Sequence, residues 1–190
     1  MTFVHADVSE QHPAVTIVIP AKNEAENIRP LINEIRAAMD GAFDYELIYV
    51  DDGSTDQTFN ILKTIRDEGF KRLTVIRHQQ SVGQSFSVLN GARHGVGEWL
   101  VVLDADGQND PADIPGMLRA LQNAYATDPK KVGIIGHRVN RRDDWVKRLS
   151  SKLANGFRDW MLQDGIPDTG CGLKATRREW YVQLPAFNHM

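Results

Sequence analysis

Four short apolar runs, each followed by a longer amphipathic stretch, constrain this chain more than any other feature. They are Val15–Pro20 (VTIVIP), Glu46–Val50 (ELIYV), Leu73–Ile76 (LTVI) and Trp99–Leu103 (WLVVL). Runs this short and this rich in β-branched residues read as buried strands. After the first, Ile28, Leu31, Ile32 and Ile35 recur at helical spacing, with Asn23 or Glu24 near the helix start. Thr55 or Asp56 can cap the next helix, which carries Phe59, Leu62 and Ile65 on its apolar side. Val82–His94 reads as a glycine-bounded helix and Pro111–Ala126 as a helix with proline near its start, and Val132–Ile135 as a fifth strand. Strands alternating with helices imply right-handed crossovers. The expected architecture is therefore α/β: a single Rossmann-like domain with a mostly parallel sheet and helices on both faces.

The chain's size and charge narrow the partners. Its 190 residues fit one domain with a sizeable core, and a net charge of -3 argues against general nucleic-acid binding. A single cysteine, Cys171, excludes an internal disulfide framework and suits a reducing compartment. No apolar run is long enough to cross a bilayer, and Met1–Pro13 lacks the basic and apolar blocks of a signal peptide. The expectation is a flexible tail over residues 1–13 and one cytoplasmic domain over residues 14–190. Nothing before Met190 marks a structural stop, so a chain continuing past it is one reading of the end.

Where the acidic residues fall is the functional signal. Asp104 and Asp106 follow a buried strand and flank one small residue, Ala105. In extended backbone, residues two apart point the same way, so both carboxylates can face one ion. Hard oxygen ligands suit Mg2+ or Mn2+, and Gln108 can add a neutral oxygen. The competing reading is a polar turn in which Asp104 or Asp110 caps the helix near Pro111. Asp51 and Asp52 follow the second strand, where carboxylates can accept from a ribose hydroxyl or a base N–H, or merely satisfy a β-to-α turn with Ser54 and Asp56. Asn23 and Glu24 can simply begin a helix. Two acidic turns at the carboxyl ends of strands in one open sheet nevertheless mark a ligand edge.

Taken in order, IPAKNEAENI, VDDGSTDQT, LDADGQNDP and DTGCGLKATRR resemble family 2 of the inverting glycosyltransferases, from about Val15 to Tyr181. Within that family the likeness is to polyprenyl-phosphate glycosyltransferases, including dolichyl-phosphate mannose synthases. The resemblance implies a GT-A fold and a UDP- or GDP-linked hexose donor. It implies a metal, Mg2+ or Mn2+, held by Asp104, Asp106 and Gln108, and a lipid monophosphate as acceptor. Pro20, Ala21, Glu24, Asp51, Asp52, Asp104 and Ala105 then face the donor. Asp106, Asp168, Arg138 and Lys174 carry catalytic expectations, Arg138 and Lys174 as phosphate-binding cations and Asp168 as the acidic position of the acceptor motif. This chain departs from the pattern at Lys174, where arginine is common, and at Ala21, where an aromatic residue is frequent.

A lipid phosphate is already anionic and needs cations rather than a general base, which Arg138, Arg141, Arg142 and Lys174 can supply. A saccharide hydroxyl would instead need a base, for which Asp168 is the candidate. Trp145, Leu149, Leu153, Phe157 and Met161 repeat every fourth residue among basic residues. That helix, Arg141–Met161, reads either as core-packed or as a peripheral contact with the inner face of the membrane. His78, His94 and His137 lack metal spacing and read as structural, as does Cys171. A sugar-phosphate nucleotidyltransferase or dinucleotide oxidoreductase would carry a glycine-rich loop after the first strand, and AKNEAEN has no glycine. A nucleotide-sugar-binding domain without turnover stays open as the non-enzymatic alternative.

Overall fold

The computed structural model describes residues 2–4, 13–136 and 171–185. Strand β1 is Thr2–Val4, β2 is Val15–Ala21, β3 is Tyr45–Asp51, β4 is Leu73–Arg77 and β5 is Trp99–Val102. Helix α1 spans Ala25–Met39, α2 spans Thr58–Asp67 and α3 spans Gln84–His94. A short 3-10 turn, Pro111–Asp113, leads into α4 (Ile114–Thr127), followed by β6 (Gly133–Ile135), β7 (Lys174–Arg177) and α5 (Arg178–Tyr181).

The seven strands form one sheet in the order β1-β4-β3-β2-β5-β7-β6. β4, β3, β2 and β5 run parallel, and β7 lies antiparallel between β5 and β6. The expectation of a mostly parallel sheet holds. β7 was not expected, because KATR is polar and too short to show a period; its place comes from pairing across Val101↔Ala175. Thr2–Val4 lies within the segment expected as a tail and pairs antiparallel with β4. The helix expected over Pro111–Ala126 begins as the 3-10 turn, with Asp110 accepting from the Ala112 N–H at 2.9 Å.

Strand alternation divides the core in two. One face buries Val15, Ile17 and Ile19 of β2 with Leu47 and Tyr49 of β3, under Ile28, Leu31 and Ile35 of α1, Leu62 of α2 and Leu118 of α4. The other face buries Val18, Ile48, Val50 and Leu100 under Val88 and Ala92 of α3. Helices therefore cover both faces, and the carboxyl ends of β2, β3 and β5 meet along one edge. That edge positions the site.

Candidate active site

The first two motifs brace each other. Asn23 adopts a left-handed backbone (φ 58°), and its N–H donates to Ser54 Oγ at 2.9 Å. The Glu24 N–H donates to Thr58 Oγ1 at 2.9 Å and the Ala25 N–H to Asp56 Oδ2 at 3.2 Å. The N–H groups at the start of α1, which no earlier turn can satisfy, are thus met by side chains of the following β-to-α turn. Asn23 returns a bond, accepting from the Thr55 N–H at 2.9 Å. Glu24 is left partly exposed, its Oε2 accepting from Asn27 Nδ2 at 2.7 Å.

Asp51 and Asp52 have different surroundings. Asp51 is fully buried, accepts from the Ser54 N–H at 2.9 Å and is paired with Arg77 Nε at 3.2 Å. Asp52 accepts from His78 Nδ1 (2.8 Å), Ser81 Oγ (2.7 Å) and the N–H groups of Val82 (2.9 Å) and Gly83 (3.0 Å). Asn90 Nδ2 lies 2.9 Å from His78 Nε2, so the ring accepts there and donates to Asp52. Burial alone would raise the Asp52 carboxyl. The bonds from Val82, His78, Ser81 and Gly83 outweigh it and hold the group at about 2. Gly53 (φ 70°) lets the loop after β4 lie against the turn, since a Cβ there would come 2.8 Å from the Ser81 nitrogen.

The second acidic turn is more open. β5 ends at Val102, one residue before the expected end, and Ala105 and Asp106 lie in a turn. The two carboxylates therefore do not converge by strand alternation; the turn brings both to one cavity. Asp104 is half-buried and Oδ1 accepts from Gln84 Nε2 at 2.7 Å. Asp106 is exposed and accepts from the Gln108 N–H at 3.0 Å. Capping of the following turn falls to Asp110 rather than Asp104.

A cavity of about 360 Å³ opens at this edge, lined by Pro20, Ala21, Lys22, Glu24, Asp52, Ser81, Gly83, Gln84, Asp104, Ala105 and Asp106. Most residues expected to face a donor are brought together there. Asp51 lies outside the lining, and so does the exposed Gln108. Lys174 opens β7 opposite Val102, at the same sheet edge but away from the cavity wall. Arg138, Asp168 and the segment 141–161 lie outside the described residues. Sequence reasoning missed Lys22, Ser81, Gly83 and Gln84. For Ser81, Gly83 and Gln84 the signal was available, because β4 is a parallel strand whose carboxyl end had to reach this edge too.

Four carboxylates against one lysine make a wall that repels a diphosphate unless a cation intervenes. Among the described residues no three His, Cys, Asp or Glu side chains converge as a self-sufficient metal cage. Two neighbouring carboxylates suit an ion that completes its shell with substrate phosphate and water, the habit of Mg2+. The donor set at Asp104 and Asp106 fits such an ion.

A parallel sheet with an antiparallel strand inserted beside β5, and an acidic cavity at its carboxyl edge, define a GT-A fold. The chain belongs to glycosyl transferase family 2, whose family model matches residues 16–184. It is 34% identical over 164 residues to an undecaprenyl-phosphate 4-deoxy-4-formamido-L-arabinose transferase of Edwardsiella ictaluri (strain 93-146), covering 86% of this chain and 49% of that protein. This chain therefore spans about half the length of the curated relatives it matches. Among solved structures it resembles a mannosyltransferase from Pyrobaculum calidifontis in complex with GDP-Man and Mn2+ (TM-score 0.66, 23% identity, 96% of this chain and 50% of that one). It also resembles glucosyl-3-phosphoglycerate synthase from Mycobacterium tuberculosis in complex with uridine-diphosphate (TM-score 0.62, 23% identity, 88% and 57%). At these identities the structural likeness establishes the fold.

Proposed function

We propose that this chain is the donor-binding catalytic domain of a metal-dependent, inverting glycosyltransferase. Its donor would be a UDP- or GDP-linked hexose and its acceptor a polyprenyl-type lipid monophosphate, taken at the cytoplasmic face of a membrane. The observation that carries the reading is the acidic cavity at the sheet edge, with Asp104 and Asp106 in its wall. Asp104 and Asp106 would hold the Mg2+ or Mn2+, with Gln108 as the neutral neighbour on the same turn. A bound ion would supply Lewis-acid stabilisation of charge on the leaving diphosphate.

The chain's own residues do the rest by position and charge. Pro20, Ala21, Glu24 and Asp52 line the cavity, and with Asp51 behind Asp52 they are proposed for the nucleoside side of the donor. A phosphate acceptor is ionised near neutral pH, so it needs alignment behind the anomeric carbon and cations beside it. Lys174, at the same edge, and Arg138, Arg141 and Arg142 are proposed for that role. Asp168 is proposed at the acceptor, where a hydroxyl substrate would use it as base. The family relatives named for undecaprenyl-phosphate transfer support the lipid acceptor, and the segment 141–161 supplies apolar and basic residues for peripheral membrane contact.

The test combines binding and turnover. Melting temperature is measured with UDP, GDP and their sugars, with and without Mn2+, because a ligand that prefers the folded state raises it. One nucleotide series is expected to stabilise the protein, and more so with Mn2+. Transfer to undecaprenyl phosphate is expected to stop with EDTA and return with excess Mn2+, and anionic liposomes are expected to sediment the protein in a salt-sensitive way. Full turnover in EDTA would remove the metal from the reading. Transfer to a saccharide hydroxyl but to no lipid phosphate would move the acceptor, and binding without any transfer would make this a donor-binding module.

A further inference from the structure

We infer that Gln84 is a positioning residue for Asp104, fixing the orientation of the carboxylate that faces the metal, with Gly172 closing the opposite side. The inference rests on the metal reading above and adds to it the residues that preset the ligand.

Three observations converge. Gln84 is the first residue of α3, and its Nε2 donates to Asp104 Oδ1 at 2.7 Å. The backbone from which it projects is itself fixed. Ser81 Oγ and the N–H groups of Val82 and Gly83 all bond to Asp52, at 2.7, 2.9 and 3.0 Å. The carboxylate of the first acidic turn therefore anchors the loop that reaches the carboxylate of the second. On the far side, a Cβ built at Gly172 would overlap the Asp104 carboxyl group at Oδ2 and crowd Asn109 Nδ2. Gly172 and Cys171 are buried, and Cys171 Sγ lies 3.4 Å from Asn109 Oδ1, which keeps this turn pressed on the DADGQND segment.

The consequence is an asymmetry between the two carboxylates. Asp104 has one oxygen held by a carboxamide and its other oxygen beside Gly172, where a side chain would not fit. Asp106 is exposed, and among the described residues it accepts from the Gln108 N–H of its own turn. Carboxylates that ligate metals are commonly oriented by a hydrogen bond of this kind, and losing the outer partner costs about 10–100-fold in metal affinity. Gln84 would thus remove the cost of ordering Asp104 when the ion arrives. A glutamine suits the task because it donates without adding charge, whereas a lysine there would compete with the cation.

The experiment measures Mn2+ affinity, by the loss of the free-ion EPR signal, in the presence of UDP and separately of GDP. The proteins are wild type, Gln84→Ala, Gln84→Met, Gly172→Ala and Asp106→Ala. Gln84→Met keeps length and bulk and removes only the N–H donor. Both Gln84 variants are expected to weaken Mn2+ binding by about 10–100-fold, with an unchanged melting temperature because the side chain is exposed. Gly172→Ala is expected to weaken it at least as much, by displacing Asp104. Wild-type affinity in Gln84→Met would overturn the positioning role, and the Gln84 variants carry that test even if Gly172→Ala does not fold. Failure of the wild-type protein to bind Mn2+ with either nucleotide would instead overturn the metal reading on which the inference rests. Wild-type affinity in Asp106→Ala together with loss in Gln84→Met would leave Asp104 as the ligand that matters.

Discussion

The turn over residues 51–58 and the turn over residues 104–110 place acidic side chains at the same sheet edge and use them in opposite ways. In the first, Asp51 and Asp52 are buried, Asp52 accepts four hydrogen bonds, and Ser54, Asp56 and Thr58 meet the backbone at the start of α1. In the second, Asp106 is exposed and Asp104 is half-buried at the cavity wall. A carboxylate has room for about four hydrogen bonds, so Asp52 is saturated from within the protein. The difference teaches that an acidic motif is not one signal. The first turn builds the edge, and the second presents charge from it.

The strongest way to break this contrast is Asp106→Ala. If the second turn serves ligand rather than fold, glycosyl transfer should fall roughly 100-fold or more, beyond the loss typical of an outer partner. Stability should stay within about 0.5 kcal/mol, as for exposed positions generally. Urea unfolding beside a transfer assay reads both. A large stability loss with activity retained would reverse the roles of the two turns.

Asp52→Asn probes the other side. It preserves shape but turns an N–H toward donors that need an acceptor, and buried donors left unsatisfied cost about 1–3 kcal/mol each at most. A loss on the order of 2–3 kcal/mol is expected from urea unfolding. The pH dependence gives a sharper reading. The Asp52 carboxyl is held at about 2 when folded, below the ordinary value near 3.9. Its stabilisation is therefore complete above the unfolded value and is lost as pH falls through about 2. The stability difference between wild type and Asp52→Asn should shrink between about pH 4 and 2. A difference that does not change with pH would mean that the charge on Asp52 contributes nothing.

Much of this was legible in the sequence, for physical reasons that also explain the gaps. Val15–Ala21, Tyr45–Asp51 and Trp99–Val102 are buried on both faces, so their continuous apolar runs announced strands within a residue or two. The sheet edge followed from their parallel order. β7 was not legible, because KATR borrows its strand form from β5 and β6 rather than from its own pattern. The separate fates of Asp51, Asp52, Asp104 and Asp106 were not legible either. They depend on partners distant in sequence: the donors His78 and Ser81 for Asp52, and for Asp104 the donor Gln84 and the close approach of Gly172. Composition places charge at the edge, and only tertiary contacts decide which charge is left to face a ligand.

The smallest expected effect lies at Asp56, and it refines the idea that the first turn builds structure. Asp56 Oδ2 accepts from the Ala25 N–H at 3.2 Å and Oδ1 from the Thr58 N–H at 2.9 Å, so one carboxylate serves the starts of both α1 and α2. Burial would raise its carboxyl, but the bonds from Thr58 and Ala25 lower it. Asp56→Ala removes an acceptor at two helix starts, where loss of a cap costs about 1 kcal/mol, and solvent can replace part of it because the site is exposed. A loss of about 1 kcal/mol is expected, with Mn2+ affinity unchanged. Asp56→Asn keeps an acceptor oxygen and should recover about half. Weakened Mn2+ binding in Asp56→Ala would mean that the brace between the first motif and the turn also sets the geometry of Asp104, and the division of labour between the two turns would then be incomplete.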